Sequence, residues 1–101
     1  MKETKKEIEY RLRRYLERDK KGIRKELLKL LLDNKKYTTD EIYQKLKDKD
    51  LDLKARGVSA MVGLMSARLG ILKMELGEKN KYYLKEEYAD LVRSILKEFE
   101  R

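Results

Sequence analysis

The stretch from residue 55 to residue 85 constrains the fold of this chain most strongly. Residues 55–69 carry apolar side chains at i, i+3, i+4, i+7 and i+11, which is the stripe of an amphipathic helix. Gly70 follows, and glycine commonly ends helices. Two short β-like runs, ILKMEL and KYYLK, fill residues 71–85 and are joined by a loop that contains Gly and Asn. This order predicts a helix that leads directly into a β-hairpin.

Three helices are predicted before this unit. The spacing of apolar residues predicts amphipathic helices over 4–19 and 23–34. A third helix, over 38–48, has a capping-box start, because Thr38 can cap the first turn and Glu41 can reach back to it. These helices place the hairpin late in the chain, after a helical core.

The last helix is predicted over residues 86–100, with acidic residues in its first turn that suit the helix dipole. The helix over 23–34 is apolar around more than half of its circumference, so it should be buried on two sides. Leu28 and Leu32 then need further cover, for which the two terminal helices are the candidates. Tyr37, just before the cap of the third helix, lies where a short strand is expected.

Helix, short strand, capped helix, helix and hairpin is the order of a winged helix-turn-helix domain. The predicted fold is mainly α with a small β-hairpin (α+β), a winged helix-turn-helix with an added helix at each terminus and one domain over 1–101. The stretches RRYLERDKKGIRKELLKLLL, YTTDEIYQKL, RGVSAMVGLMSARLGIL and YYLKEEYADLVR resemble an archaeal family of small winged-helix proteins classed as a domain of unknown function. The resemblance covers nearly the whole chain. Winged helices mostly bind duplex DNA, but some bind RNA and some only proteins, so function has to be argued from the surface.

Composition narrows the chemistry that the chain can perform. It contains no Cys and no His, which makes a zinc site very unfavourable and excludes thiol and imidazole catalysis. No paired arrangement of the remaining reactive groups stands out, so we expect neither an enzyme nor a cofactor or metal. There is no apolar run long enough to cross a membrane and no secretory signal at the start, so a cytoplasmic protein is expected.

The net charge of +8 is concentrated in two segments. Residues 1–36 hold 14 basic and 7 acidic residues, and residues 54–85 hold 7 basic and 2 acidic residues. Such segments favour a polyanionic partner, most often nucleic acid, although a charged surface also serves solubility. Double-stranded DNA is the predicted partner, and the predicted role is a transcriptional regulator or chromatin-associated factor.

The outer side of helix 55–69 is the predicted recognition surface. Arg56, with Ser59 as a lesser candidate, is suited to base edges, while small residues would allow close approach to a groove. The residues assigned to DNA binding on this helix are Lys54, Arg56, Ser59, Ala60 and Gly63. The alternative is that Ala60, Gly63 and Ala67 form a smooth track for another helix, and an exposed Leu64 favours that protein contact.

The hairpin tip and the first helix are further basic candidates. Lys79, Asn80 and Lys81 could contact phosphates, or they could be a solvated turn. Arg11, Arg14 and Arg18, with Lys20 and Lys21, form the densest basic cluster, for which a solvated helix face is favoured over a backbone contact. Tyr83 is kept as a candidate for base stacking in an RNA or single-strand binder.

The last helix carries the prediction of a homodimer. Its apolar side is wider than one neighbour in a small domain usually needs, and an interface between two copies would bury it. The residues assigned to that interface are Leu91, Val92, Ile95, Leu96 and Phe99. The alternative is that both terminal helices fold back onto the helix over 23–34 of the same chain.

Overall fold

The computed structural model describes residues 4–19, 21–49 and 53–100. Within these ranges the elements are α1 (Lys5–Glu17), α2 (Ile23–Leu31), α3 (Thr39–Lys47), α4 (Ala55–Ala67), β1 (Leu72–Glu75), β2 (Lys81–Leu84), a 3-10 turn (Glu86–Tyr88) and α5 (Ala89–Phe99). The two strands form one antiparallel sheet. The predicted mainly α chain with a small hairpin is therefore confirmed.

The predicted capping box at the start of α3 is present. The Glu41 N–H donates to the Thr38 hydroxyl at 3.1 Å, and the Thr38 N–H donates to the Glu41 carboxylate at 2.8 Å. The backbone hydrogen bond from Thr38 also lowers the pKa of Glu41. Two backbone N–H groups that the helix leaves unpaired are thereby satisfied, and α3 has a fixed starting point.

Helix α2 starts in a way that the sequence pattern did not indicate. Gly22 is at its N-cap position with φ +76°, and it has no side chain to cap the first turn. Asp19 performs this function instead, since its two carboxylate oxygens accept the N–H groups of Arg24 and Lys25 at 3.2 and 3.1 Å. The turn between α1 and α2 is therefore held by a charge-assisted cap.

Four helix boundaries differ from the sequence prediction by two or three residues. Helix α1 ends at Glu17 instead of residue 19. Helix α2 ends at Leu31 instead of residue 34, and Asn34 adopts the left-handed conformation (φ 67°) that interrupts a helix. Helix α4 ends at Ala67, two residues before its predicted end. The C-terminal helix begins with a 3-10 turn, so its α-helical part starts at Ala89.

The hairpin is tied to the start of α3 through one extra backbone pair. Leu72 pairs with Leu84 and Glu75 with Lys81 across the two strands. Tyr37 forms an isolated antiparallel bridge to Tyr82, in which each N–H donates to the other residue's carbonyl, at 3.0 and 2.6 Å. The short strand predicted at Tyr37 is present only as this single bridge, and its pairing with the hairpin was not predicted.

Helix α2 lies between other helices, as its two apolar sides predicted. It packs against α3 on one side and α5 on another, while α1 packs on α5 and α3 on α4. Leu28 is fully buried and Leu32 is partly buried against the core. The core residues contributed by the helices are Ile8, Leu12, Tyr15, Leu16, Leu27, Leu28, Leu31, Ile42, Leu46, Val58, Val62, Met65, Val92, Ile95 and Leu96.

The predicted dimer residues belong largely to this core. Val92, Ile95 and Leu96 are 0%, 0% and 3% exposed within a single chain, while Leu91 and Phe99 are partly buried and pack against the core. The wide apolar side of α5 is thus covered by α1, α2 and their neighbours, and it needs no second copy. Because Val92, Ile95 and Leu96 are buried within one chain, they cannot form the predicted dimer interface.

Candidate nucleic-acid interface

Helix α4 has one buried side and one exposed side. Val58, Val62 and Met65 face the core and anchor the helix. The residues predicted for recognition lie on the opposite side and are exposed: Lys54, Arg56, Ser59, Ala60 and Gly63, together with Ala67. No other described part of the chain covers this outer side, and residues 53–74 contain no Asp or Glu.

Two glycines on α4 are not required by the packing of the chain. A Cβ built on Gly57 or Gly63 meets no atom within 4 Å among the described residues. Glycine in a helix interior costs about 0.5–1 kcal/mol relative to alanine, because it has more conformational freedom to lose. Packing within the described residues does not explain why these two positions are glycine. Close approach of a partner to this side of α4 would explain it.

Replacing Gly63 with alanine should raise the free energy of unfolding by about 0.5–1 kcal/mol. The added methyl group meets open space and α4 gains helix propensity. Urea unfolding measures the change. Gly70→Ala is the matched control, because Gly70 has φ 68° and alanine should destabilise the chain there. A loss of stability in Gly63→Ala would show that Gly63 serves the fold itself.

A groove lined by arginines runs between α1 and the second half of α4. We call it the arginine trough; its volume is about 620 Å³, and Leu64, Ala67 and Leu69 form its apolar part. Two tyrosines, Tyr10 and Tyr15, also line it. Its five arginines are Arg11, Arg14, Arg18, Arg24 and Arg68, and no Asp or Glu lines it. The sequence favours a solvated face for the three arginines of α1, and it does not indicate that Arg24 and Arg68 line the same groove.

Several of these arginines are held in place by neutral groups. Arg24 donates to the Tyr15 carbonyl at 2.7 Å, and its guanidinium carbon lies 4.1 Å from the centre of the Tyr15 ring. Arg14 donates to the Tyr10 hydroxyl at 3.1 Å. Arg11 donates to the Arg68 carbonyl at 3.4 Å and also lies 4.0 Å from Glu7. The hydrogen bonds of Arg14 and Arg24 are thus to uncharged oxygens, which position the guanidinium groups without neutralising them.

The trough continues along α4 into a second, shallower hollow. The two share Arg18 and Arg24, and the second one adds Lys21, Lys54 and Arg56 to the basic residues. Asp19 is its only acidic lining residue, and that carboxylate is committed to the start of α2. Lys20, which the sequence analysis grouped with Lys21, lies outside the described residues.

Leu64 is half-buried, which corrects the expectation of an exposed leucine on α4. It packs against the core and contributes to the apolar part of the trough. The protein-contact alternative for α4 depended in part on an exposed Leu64, so the partial burial of this side chain removes that support.

The hairpin tip has a mixed charge. Lys79, Asn80 and Lys81 are exposed, but the Lys79 ammonium lies 3.6 Å from Asp40. The hollow that Lys79 and Lys81 line also contains Asp40, Glu41, Glu75 and Glu78 and includes no residue of α4. The predicted basic tip is thus surrounded by carboxylates, and the structure does not bring it together with the predicted residues of α4 in one hollow.

The stacking candidate Tyr83 is partly covered. It is half-buried, and the Lys36 ammonium lies 5.0 Å from the centre of its ring. Lys36 also pairs with Glu75 at 2.9 Å, a hydrogen bond that lowers the pKa of the Glu75 carboxyl. Lys36 therefore competes with a base for one face of this ring.

Within residues 4–19, 21–49 and 53–100, no group of three or more acidic side chains is placed to hold a metal ion. The same ranges contain no helix that is both long and apolar enough to cross a membrane.

Comparison with known proteins places the chain in a family. Residues 12–92 match the family described as protein of unknown function DUF2551, and the chain belongs to this family. An uncharacterised protein of the archaeon Archaeoglobus fulgidus is 67% identical over 94 residues, which are 93% of this chain and 97% of that protein. No solved structure matches the chain. The resemblance to an archaeal family of unknown function is confirmed.

Proposed function

We propose that this chain is a winged helix-turn-helix protein that binds duplex DNA, with α4 as its recognition helix. The observation that carries the proposal is the outer side of α4, which is exposed along its length, built from small and basic residues and free of carboxylates. A helix of this kind fits the major groove of B-DNA, which is about 12 Å wide. Its small side chains would let the helix backbone come close to the base edges.

The order and packing of the elements support the winged-helix class. Helices α3 and α4 pack against each other, α4 leads into the hairpin, and the Tyr37–Tyr82 bridge ties that hairpin to the start of α3. In helix-turn-helix proteins the second helix of such a pair enters the major groove. In this assignment, the hairpin β1–β2 is the wing.

Binding through this surface would be mainly to the phosphate backbone. Arg56 is the only side chain on the outer side of α4 that is long enough and suitably charged for bidentate contact with guanine, and Ser59 is a weaker reader. Lys54 lies at the N-cap of α4, where backbone N–H groups can also hold a phosphate. Limited base readout with many cations is typical of a chromatin-associated factor or a regulator of low sequence selectivity.

A titration with a short mixed-sequence duplex tests the proposal. With about five phosphate contacts from one protomer, log affinity should fall with log salt at a slope of about −4 to −5. Fluorescence anisotropy between about 50 and 200 mM salt measures that slope. Absence of binding at the lowest salt concentration, or an affinity that does not change with salt, would contradict the proposal.

A second candidate, a protein-contact module, is favoured by one observation. Met74 and Leu76 on the hairpin are 43% and 76% exposed, and apolar side chains at such a tip are suited to a protein surface. Under this alternative, Leu76→Ser removes association with a protein partner, whereas duplex binding is absent in the wild type. Under the DNA proposal, Leu76→Ser leaves the salt-dependent binding of duplex intact.

A further inference from the structure

The arginine trough concentrates positive charge, and no carboxylate of the described residues lines it. No carboxylate of the described residues lies within ion-pair distance of Arg14, Arg18 or Arg68. Some cations elsewhere on the surface are paired: Arg13 contacts Glu98 at 2.9 Å, and Lys49 contacts Glu26 at 2.9 Å. The trough therefore gathers five arginines and no acidic residue in one groove, which suits it to an external anion.

One residue that lines the trough also has a buried hydroxyl without a partner among the described residues. Tyr15 is 8% exposed, and its hydroxyl makes no hydrogen bond to the described residues. Burial raises the pKa of this hydroxyl, so it remains a neutral donor at ordinary pH. Buried polar groups are nearly always hydrogen-bonded, so an unpartnered hydroxyl on a residue that lines the trough is unusual.

The distribution of the cations favours an extended anion over a compact one. Arg11, Arg14 and Arg18 follow one another along α1 and span about 10 Å at the rise of an α-helix. A phosphodiester strand carries one charge per nucleotide in a regular row, so its successive phosphates could meet different arginines of this row. A single small anion could reach only part of this row, whereas a phosphodiester strand could contact all of it.

We infer that the arginine trough binds one phosphodiester strand of the duplex and is the main backbone contact of the protein, a role that winged-helix architecture would otherwise give to the hairpin. The inference rests on the proposed function. Guanidinium groups suit this role because they present several donors to phosphate oxygens and keep their charge at any physiological pH. The hairpin suits it less, because four carboxylates surround Lys79 and Lys81.

Three double variants that each remove two positive charges test the inference. Arg14→Gln/Arg18→Gln changes the trough, Lys79→Gln/Lys81→Gln changes the hairpin tip, and Arg93→Gln/Lys97→Gln changes the exposed side of α5. All six residues are exposed, and Gln retains good helix propensity at the three positions that lie inside helices. Equal thermal midpoints establish that the fold is retained.

Each lost phosphate contact should reduce the magnitude of the salt slope by about 0.9, which corresponds to about an eightfold weaker affinity at 0.1 M salt. The trough variant should therefore bind duplex about 60-fold more weakly and lose about 1.8 from its slope. The hairpin and α5 variants should change affinity much less, because their charges are farther from the strand and are screened beyond about 10 Å.

The outcomes separate the inference from the proposed function. If the wild type binds duplex and the trough variant loses no more affinity than the α5 variant, the inference is overturned while duplex binding stands. If the hairpin variant loses more than the trough variant, the main backbone contact is at the hairpin and the inference is equally overturned. If the wild type does not bind duplex at low salt, both the proposed function and the inference fail.

Discussion

Replacing Ile95 with alanine should lower the free energy of unfolding by about 2–5 kcal/mol. Ile95 is 0% exposed in the chain and is surrounded by the core that α1, α2 and α5 build together. Its removal leaves a cavity that the neighbouring side chains can refill only partly. For a domain of this size, which has limited stability to lose, the effect should be large in a urea titration.

The same titration distinguishes a core residue from an interface residue. If Ile95 belongs to the core of one chain, the midpoint of unfolding does not depend on protein concentration in either the wild type or the variant. Ser94→Ala, at the adjacent exposed position, is the matched control and should change stability little. A midpoint that rises with concentration and loses that dependence in Ile95→Ala would place the residue between two copies instead.

The second large effect is expected on binding. Gly63→Glu should weaken duplex binding by roughly a hundredfold or more, because it places a carboxylate against phosphates and fills the space through which α4 approaches. The fold itself should accept the change, since nothing lies within 4 Å of the new Cβ and Glu is a better helix former than Gly. Anisotropy with labelled duplex measures the affinity.

Ser94→Glu provides the control for this variant. It adds the same charge at an exposed position on α5, away from the proposed interface, so its effect should be limited to the change in net charge. Equal losses in Gly63→Glu and Ser94→Glu would mean that only net charge matters. That result would remove α4 from the proposed interface.

The order of elements could be predicted because each one has a local cause. Apolar periodicity predicted the helices, and the Thr38–Glu41 capping box predicted where α3 begins. The early end of α2 could not be predicted, because the leucine pattern continues to Leu32 while the turn conformation of Asn34 ends the helix. The Asp19 cap was missed for a similar reason, since it acts from outside the first turn of α2.

The candidate site was predicted in part. The exposed side of α4 follows from helical geometry, so Arg56 and Gly63 lie where the sequence placed them. The arginine trough could not be predicted, because Arg24 and Arg68 meet the arginines of α1 only through tertiary packing. The wide apolar side of α5 was assigned to a second copy because a helical wheel does not distinguish burial within one chain from burial between two.

Mapping amide chemical shifts during addition of a short duplex tests the central claim most directly. Binding through α4 and the arginine trough predicts that the largest changes lie in residues 54–68 and 11–18. The amides of α5, whose apolar side lies in the core, should change little. Changes confined to α5 or to the hairpin tip, or no change at low salt, would contradict the account.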